Sequence, residues 1–211
     1  MFDLELVKNA LIAGDESKLI ELVKNALDQG VAANEILNQG LVAGMDIVGE
    51  KMETGDMFIP EVLRSAKVMG VAVEILKPLL GADDMTGKGK VVIGTVKGDL
   101  HDIGKNLVSM MIESAGFEVS DLGADVPPKR FVEEINNRKN VDMLCLSALL
   151  TTTMPMMKLT IDVLAENGLK DQVKIMVGGA PVTQKFADEI GADGYAPDAG
   201  SAVKLVKTLL Q

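Results

Sequence analysis

Histidine occurs once in the 211 residues of this chain, cysteine once and tryptophan not at all, and aromatic residues make up 3% of it. Each scarcity removes a class of function. A single cysteine cannot form an internal disulfide, which fits a reducing, cytoplasmic compartment. One His and one Cys cannot supply the three or four protein ligands that a zinc site requires. Few aromatics leave few platforms on which single-stranded bases could stack. Positive charge is also short: the net charge is -10, whereas binding nucleic acid calls for clustered Lys and Arg, so no nucleic-acid partner is expected. No stretch approaches the roughly 20 apolar residues needed to span a bilayer, and the acidic N-terminal stretch MFDLELVKNALIAG does not read as a secretory signal. No membrane partner is therefore expected either.

What is present is ordinary for a globular protein: 47% hydrophobic residues and 25% charged. The 13 methionines read mostly as core filler. Cys145 lies in the apolar run VDMLCLSAL, where a buried, inert thiol is expected.

The apolar pattern changes period once. Residues 1–81 read as four helices: LELVKNALIAG and ESKLIELVKNALDQG, with Asp3 and Asp15 as N-caps, then about Asn34 to Thr54, with Leu37, Leu41, Val48 and Met52 on one face, then about Pro60 to Leu80. In the last, Val62, Ala66, Met69, Val73, Leu76 and Leu80 alternate steps of four and three, the seam of a bundle. Pro60 suits its first turn, and Pro78 should kink or end it. Residues 82–90, rich in Gly, Asp and Lys, read as a linker. From 91 to 211, five short β-rich runs alternate with five helical ones. The expected architecture is α/β: an N-terminal four-helix bundle followed by a flavodoxin-like (Rossmann-type) five-stranded doubly wound parallel sheet. No internal repeat or low-complexity segment is evident.

In such a sheet, of order 2-1-3-4-5, ligands bind beyond the carboxyl ends of the strands where the order reverses. The loops concerned are KGDLHDIG after strand one, SALLTTT after strand three and GGAP after strand four. Asp99, His101, Ser147, Thr151, Gly178 and Gly179 therefore converge on one mouth. A phosphate-cradling GxxxxGK[ST] loop does not fit, because Gly98 is one residue too far from Gly104 and Asn106 stands where Ser or Thr is needed. A GxGxxG fingerprint is absent after strand one, and Leu146-Ser147 replaces the Asp of a phosphoryl-accepting receiver. An FMN site stays open, although Asp99 and Asp102 at a helix start would repel its phosphate. Imidazole is a good ligand for a transition metal, and Asp99 is placed to hydrogen-bond its second nitrogen. If His101 binds a metal, the metal must arrive with its other ligands in a macrocycle.

Asp99-x-His101-x-x-Gly104, then Ser147-x-Leu149, then Gly178-Gly179, each at the end of an expected strand, resemble the cobalamin-binding signature of corrinoid proteins and of the matching module of methionine synthase. GDMFIPEVLRSAKVM, residues 55–69, is similar to the cap segment preceding this module in methyl-carrying members. The layout resembles the small corrinoid subunits of methanogenic and acetogenic methyltransferase systems for methanol or methylamines. The resemblance covers nearly the whole chain.

That resemblance implies cobalamin as cofactor, methylcobalamin in the loaded state, bound base-off with His101 as the lower axial cobalt ligand. It implies Asp99 and Ser147 as a relay behind the ligand, and Gly178 and Gly179 along the slot for the displaced nucleotide tail. Asp102, Ile103, Gly104, Leu149 and Thr151 are implied as further contacts, with Asp198 and Ala199 after strand five. Phe58, with Val68, would cover the upper, methyl-bearing face from the bundle. The implied role is a non-catalytic carrier subunit. Its expected partners are a substrate-specific methyltransferase, an acceptor methyltransferase using a thiol coenzyme or a tetrahydrofolate-type pterin, and a reductive activase. Two other readings share the module: a cobalamin-sensing regulator, which would add a DNA-binding segment, and the cobalamin-binding subunit of a mutase, which would not need the cap. A flavodoxin-like domain without corrinoid is the bland alternative.

Overall fold

The computed structural model describes residues 2–80, 88–138 and 140–210, and the chain divides into two compact units at about residue 87. The expected linker, 82–90, lies for the most part outside the described residues.

The first unit is helical: α1 (Glu5–Ile12), α2 (Glu16–Asp28), α3 (33–54) and α4 (Ile59–Leu76). Asp15 caps α2 by accepting from Lys18 N–H at 3.0 Å, whereas Asp3 acts one residue further out, accepting from Glu5 N–H at 2.9 Å. The first turn of α4 takes Pro60 as expected, and the Glu61 carboxylate closes it by accepting from Phe58 N–H. The α-helix stops at Leu76 and tightens into a 3₁₀ turn, Lys77–Leu79, around Pro78.

In α3 the structure departs from simple helical spacing. Ile36–Val42 is a π-helical segment between Ala33–Glu35 and Ala43–Thr54. The wider turn shifts the phase of the helix. Ile36, Gly40, Leu41, Met45 and Val48 are buried, and the expected Leu37 and Met52 are only half-buried. Gly40 and Gly44 permit the close approach to α1, since a Cβ on either would fall within 3 Å of Val7 or Leu11.

The second unit is a five-stranded parallel sheet of order β2-β1-β3-β4-β5: β1 (Lys90–Thr95), β2 (Glu118–Asp121), β3 (Met143–Ser147), β4 (Lys174–Gly178) and β5 (Gly194–Ala196). The connecting helices are α5 (Ile103–Ser114), α6 (Pro128–Asn137), α7 (Pro155–Glu166) and α8 (Gln184–Ile190), and α9 (Ala199–Leu209) follows β5. The central strands are buried apolar runs, as a sheet covered on both faces demands. On one face Leu144, Leu146 and Ile175 pack with Phe131, Met157, Ile161 and Leu164. Cys145 is buried, and burial pushes its thiol pKa up. Among the described residues no helix is long and apolar enough to cross a membrane.

Candidate functional site

The register fixes where the mouth lies. Thr95, Ser147, Gly178 and Ala196 stand side by side at the carboxyl ends of β1, β3, β4 and β5. The loop after β1 opens with a turn in which Asp99 N–H donates to the Val96 carbonyl at 3.1 Å. Its third residue, Gly98, has φ +85, which a residue with a Cβ would resist. The turn delivers Asp99 inward and the next residues outward: Asp99 is fully buried, Leu100 is 77% exposed and Ile103 is 83% exposed.

Asp99 organises the site. Its Oδ1 accepts from His101 N–H at 3.1 Å and lies 2.8 Å from His101 Nδ1. Its Oδ2 accepts from Leu149 N–H at 2.8 Å, Leu150 N–H at 3.2 Å and the Thr153 hydroxyl at 2.6 Å. Burial works against the charge. The hydrogen bonds from Thr153, from the His101 ring and from the Leu149 and His101 amides outweigh it and hold the carboxyl below the usual carboxylate range. An ionised Asp99 can only accept, so Nδ1 of His101 carries a proton, and in the neutral ring the lone pair is then on Nε2. The His101 side chain is 51% exposed. Among the described residues no cluster of three or more His, Cys, Asp or Glu side chains is placed to hold a metal ion.

Two elements steady this loop from the β2 side. Asp125 accepts from Gly98 N–H at 2.7 Å, pairs with Lys97 at 2.9 Å, and donates its own N–H to the Asp99 carbonyl at 2.9 Å. Lys105, its side chain 1% exposed, places Nζ 2.5 Å from Asp121 and 2.6 Å from Asn106 Oδ1. That ion pair ties the start of α5 to the end of β2.

The structure brings Asp99, His101 and Leu149 together and gives Asp99 a hydroxyl partner that the sequence reading did not name. Among the described residues Asp99 receives its hydroxyl from Thr153 and makes no hydrogen bond with Ser147. Ser147 is the last residue of β3. Its carbonyl accepts from Val96 N–H, while the turn at Leu150 carries Thr153 inward and leaves Thr151 exposed. The run of three threonines, 151–153, held the signal, but the sequence does not say which one faces in. Lys105 and Asp125 were also missed: Lys105 counted only as part of a failed phosphate loop.

The paired glycines divide. Gly178 is the residue level with Ser147, and a Cβ there would lie 3.0 Å from the Ala196 carbonyl. At Gly179, with φ +124, a Cβ would fall 1.9 Å from the Ala148 carbonyl, so the fold itself demands glycine. Gly104 is the opposite case, exposed at the start of α5 with nothing within 4 Å of a Cβ. Asp102 is half-buried, and its carbonyl accepts from Asn106 N–H at 2.7 Å. Asp198 is engaged as the N-cap of α9, both oxygens facing Ser201, and Ala199 is buried. Phe58 and Val68 belong to the helical unit, where Phe58 is 68% exposed and Val68 is buried.

Two family models match the chain, both described as B12 binding domain, one over residues 89–204 and one over residues 4–77. Dimethylamine corrinoid protein 1 of Methanosarcina acetivorans is 48% identical over 204 residues, 96% of this chain and 91% of that protein. A corrinoid protein of Desulfitobacterium hafniense is 43% identical over 210 residues, 98% of this chain and 97% of its own. Among solved structures, a cobalamin-binding protein from Desulfitobacterium hafniense superposes with a TM-score of 0.85 at 33% identity, covering all of both chains. A chain of the methanol:cobalamin methyltransferase complex from Methanosarcina barkeri gives the same TM-score and identity over 98% of this chain and 79% of that one.

Proposed function

This chain belongs to the family of B12-binding corrinoid proteins, and from that footing we propose that it is a cytoplasmic carrier that holds a methyl group on cobalamin and passes it from a substrate methyltransferase to an acceptor methyltransferase. The observation that carries the reading is the His101–Asp99 pair: one imidazole nitrogen fixed by a buried carboxylate, the other left open at the sheet mouth.

The cofactor is cobalamin, and the residues present fit it. A corrinoid would bring most of its cobalt ligands with it, and Nε2 of His101 could supply a further one. Leu100, Ile103, Leu149 and Leu150, on the loops around His101, are all exposed apolar side chains, suited to a broad, partly apolar ligand. Gly104 leaves room where a side chain would stand.

When bound, the corrinoid supplies a cobalt centre that accepts a methyl group from an activated donor and yields it to a nucleophile. The chain's own residues do the rest. His101 would hold the cobalt through Nε2, in place of the cofactor's own base. Asp99 keeps the ring proton on Nδ1 and so fixes Nε2 as the nitrogen turned outward. Thr153 and the two loop amides keep Asp99 charged. Ser147, Thr151, Gly178 and Gly179 would flank the nucleotide tail, with Asp102 and the backbone at Asp198 and Ala199 as outer contacts. The helical unit would act as cap, presenting Phe58 to the methyl-bearing face.

The partner assignment rests on likeness to the dimethylamine corrinoid protein and to the chain of the methanol:cobalamin methyltransferase complex. A reductive activase completes the expected set. Reconstitution with hydroxocobalamin, reduction to cobalt(II) and electron paramagnetic resonance test the ligand. Nitrogen splitting that vanishes in His101→Ala is expected, and a splitting that survives the substitution refutes the assignment. For the carrier role, the methylated protein should lose its methyl group rapidly only when an acceptor methyltransferase is added; rapid loss without one refutes it.

A further inference from the structure

The main chain of His101 is held at two points, and only one belongs to Asp99. Its carbonyl oxygen accepts the Thr95 hydroxyl at 2.9 Å. Thr95 is the last residue of β1 and is fully buried. Its N–H donates to the Gly123 carbonyl at 2.9 Å and its carbonyl accepts from Val126 N–H at 3.0 Å, so its backbone is locked to the chain leaving β2. The side chain is therefore a fixed post on the sheet. The other buried positions of β1 carry only apolar side chains or glycine, and Val has nearly the shape of Thr. The sheet itself gives no reason for a hydroxyl here. The hydroxyl's partner is the carbonyl of the one histidine.

We infer that Thr95 is a positioning residue for axial ligation: it sets where His101 stands relative to the sheet, while Asp99 sets how the ring is turned. This rests on the reading of His101 as the cobalt ligand. Without the Thr95 bond the ring keeps its carboxylate, but the loop that carries it is no longer pinned at the histidine, and Nε2 spends less time where a ligand is needed.

The test uses the full chain reconstituted with hydroxocobalamin and reduced to cobalt(II), comparing wild type, Thr95→Val, Thr95→Ser and His101→Ala. Thr95→Ala is carried alongside, because it removes the hydroxyl without setting a methyl group against the His101 carbonyl. The readout is the ratio of nitrogen-split to unsplit resonance signal, with a denaturation midpoint recorded for each variant. A neutral hydrogen bond of ordinary net strength predicts that the ratio falls about three- to tenfold in Thr95→Val and Thr95→Ala. Thr95→Ser should restore it even if its midpoint stays low, which a purely structural role would not produce. An unchanged ratio in both hydroxyl-free variants, with His101→Ala lacking the splitting, overturns the role of Thr95 and leaves the ligand in place. Splitting that persists in His101→Ala overturns the ligand assignment, and the inference falls with it.

Discussion

Asp99→Asn replaces one oxygen by NH2 in the most heavily bonded side chain of the site, and its effects separate into two. The carboxylate faces five donors: His101 N–H and Nδ1 on Oδ1, and Leu149 N–H, Leu150 N–H and the Thr153 hydroxyl on Oδ2. An amide has one oxygen, and three donors outvote two, so the oxygen takes the Oδ2 place. The NH2 group then meets His101 N–H head-on and can satisfy the ring only by donating to Nδ1. That moves the ring proton to Nε2, the nitrogen proposed to face cobalt. Two charge-assisted bonds, worth about 1.5–3 kcal/mol each, are lost or inverted. The expected destabilisation is about 3–5 kcal/mol, a large share of the stability of an ordinary domain. Urea unfolding with an unchanged slope measures the first effect. Nitrogen-15 labelled histidine measures the second as a one-residue spectrum, since the chain has only one histidine. Wild type should show the Nδ1–H form and the variant the Nε2–H form. A loss under about 1 kcal/mol together with an unchanged tautomer would refute the account of Asp99 given above.

Thr153→Val should cost about 1.5–3 kcal/mol, because it leaves a buried carboxylate short of its 2.6 Å donor, whereas Ser147→Ala should be close to neutral; paired unfolding midpoints decide. Gly179→Ala should fold poorly or lose at least about 3 kcal/mol, given the 1.9 Å approach to the Ala148 carbonyl and the positive φ. Gly104→Ala should unfold like wild type yet bind hydroxocobalamin more weakly, and unchanged binding would show that the open space there is not used. Acid should destabilise the protein through three carboxylates held low. These are Asp99, where burial opposes and hydrogen bonds prevail; Asp125, through Gly98 N–H and Lys97; and Glu134, chiefly through the Ser120 hydroxyl. Each keeps its charge longer folded than unfolded, so the unfolded state binds more protons as pH drops. Their contribution is present above about pH 4 and lost below it. Midpoints that do not fall between about pH 5 and pH 3 would contradict this, and Asp99→Asn should flatten the fall.

The order of the sheet and the loops that meet at its mouth were legible in the sequence because parallel strands buried on both faces write themselves as apolar runs. His101 and Asp99 were legible because two residues of spacing across an Asx turn bring carboxylate and ring together almost regardless of the rest of the fold. Thr153 was not. Which of three consecutive threonines turns inward depends on the turn at Leu150, a matter of backbone geometry that the residue types do not encode. The π segment of α3 escaped for a similar reason: its phase shift comes from packing Gly40 and Gly44 against α1, and both faces of the helix offered apolar residues. Asp198 was legible as a residue that follows a strand, but not as the cap of α9, which its carboxylate provides.

Lys105 has one further consequence. Behind the histidine, each group is welded to the sheet or its edge, through Thr95, Asp99, Asp125 and the Lys105–Asp121 pair. In front of it, Leu100, Ile103 and Gly104 touch little of the protein. Mutational drift therefore meets two regimes a few residues apart. Substitutions behind the histidine carry a cost in stability along with any effect on the site, while those in front are nearly free of that cost. On the proposed reading, a lineage of such chains can retune its grip on different corrinoids through the front residues alone, with His101 never leaving its post.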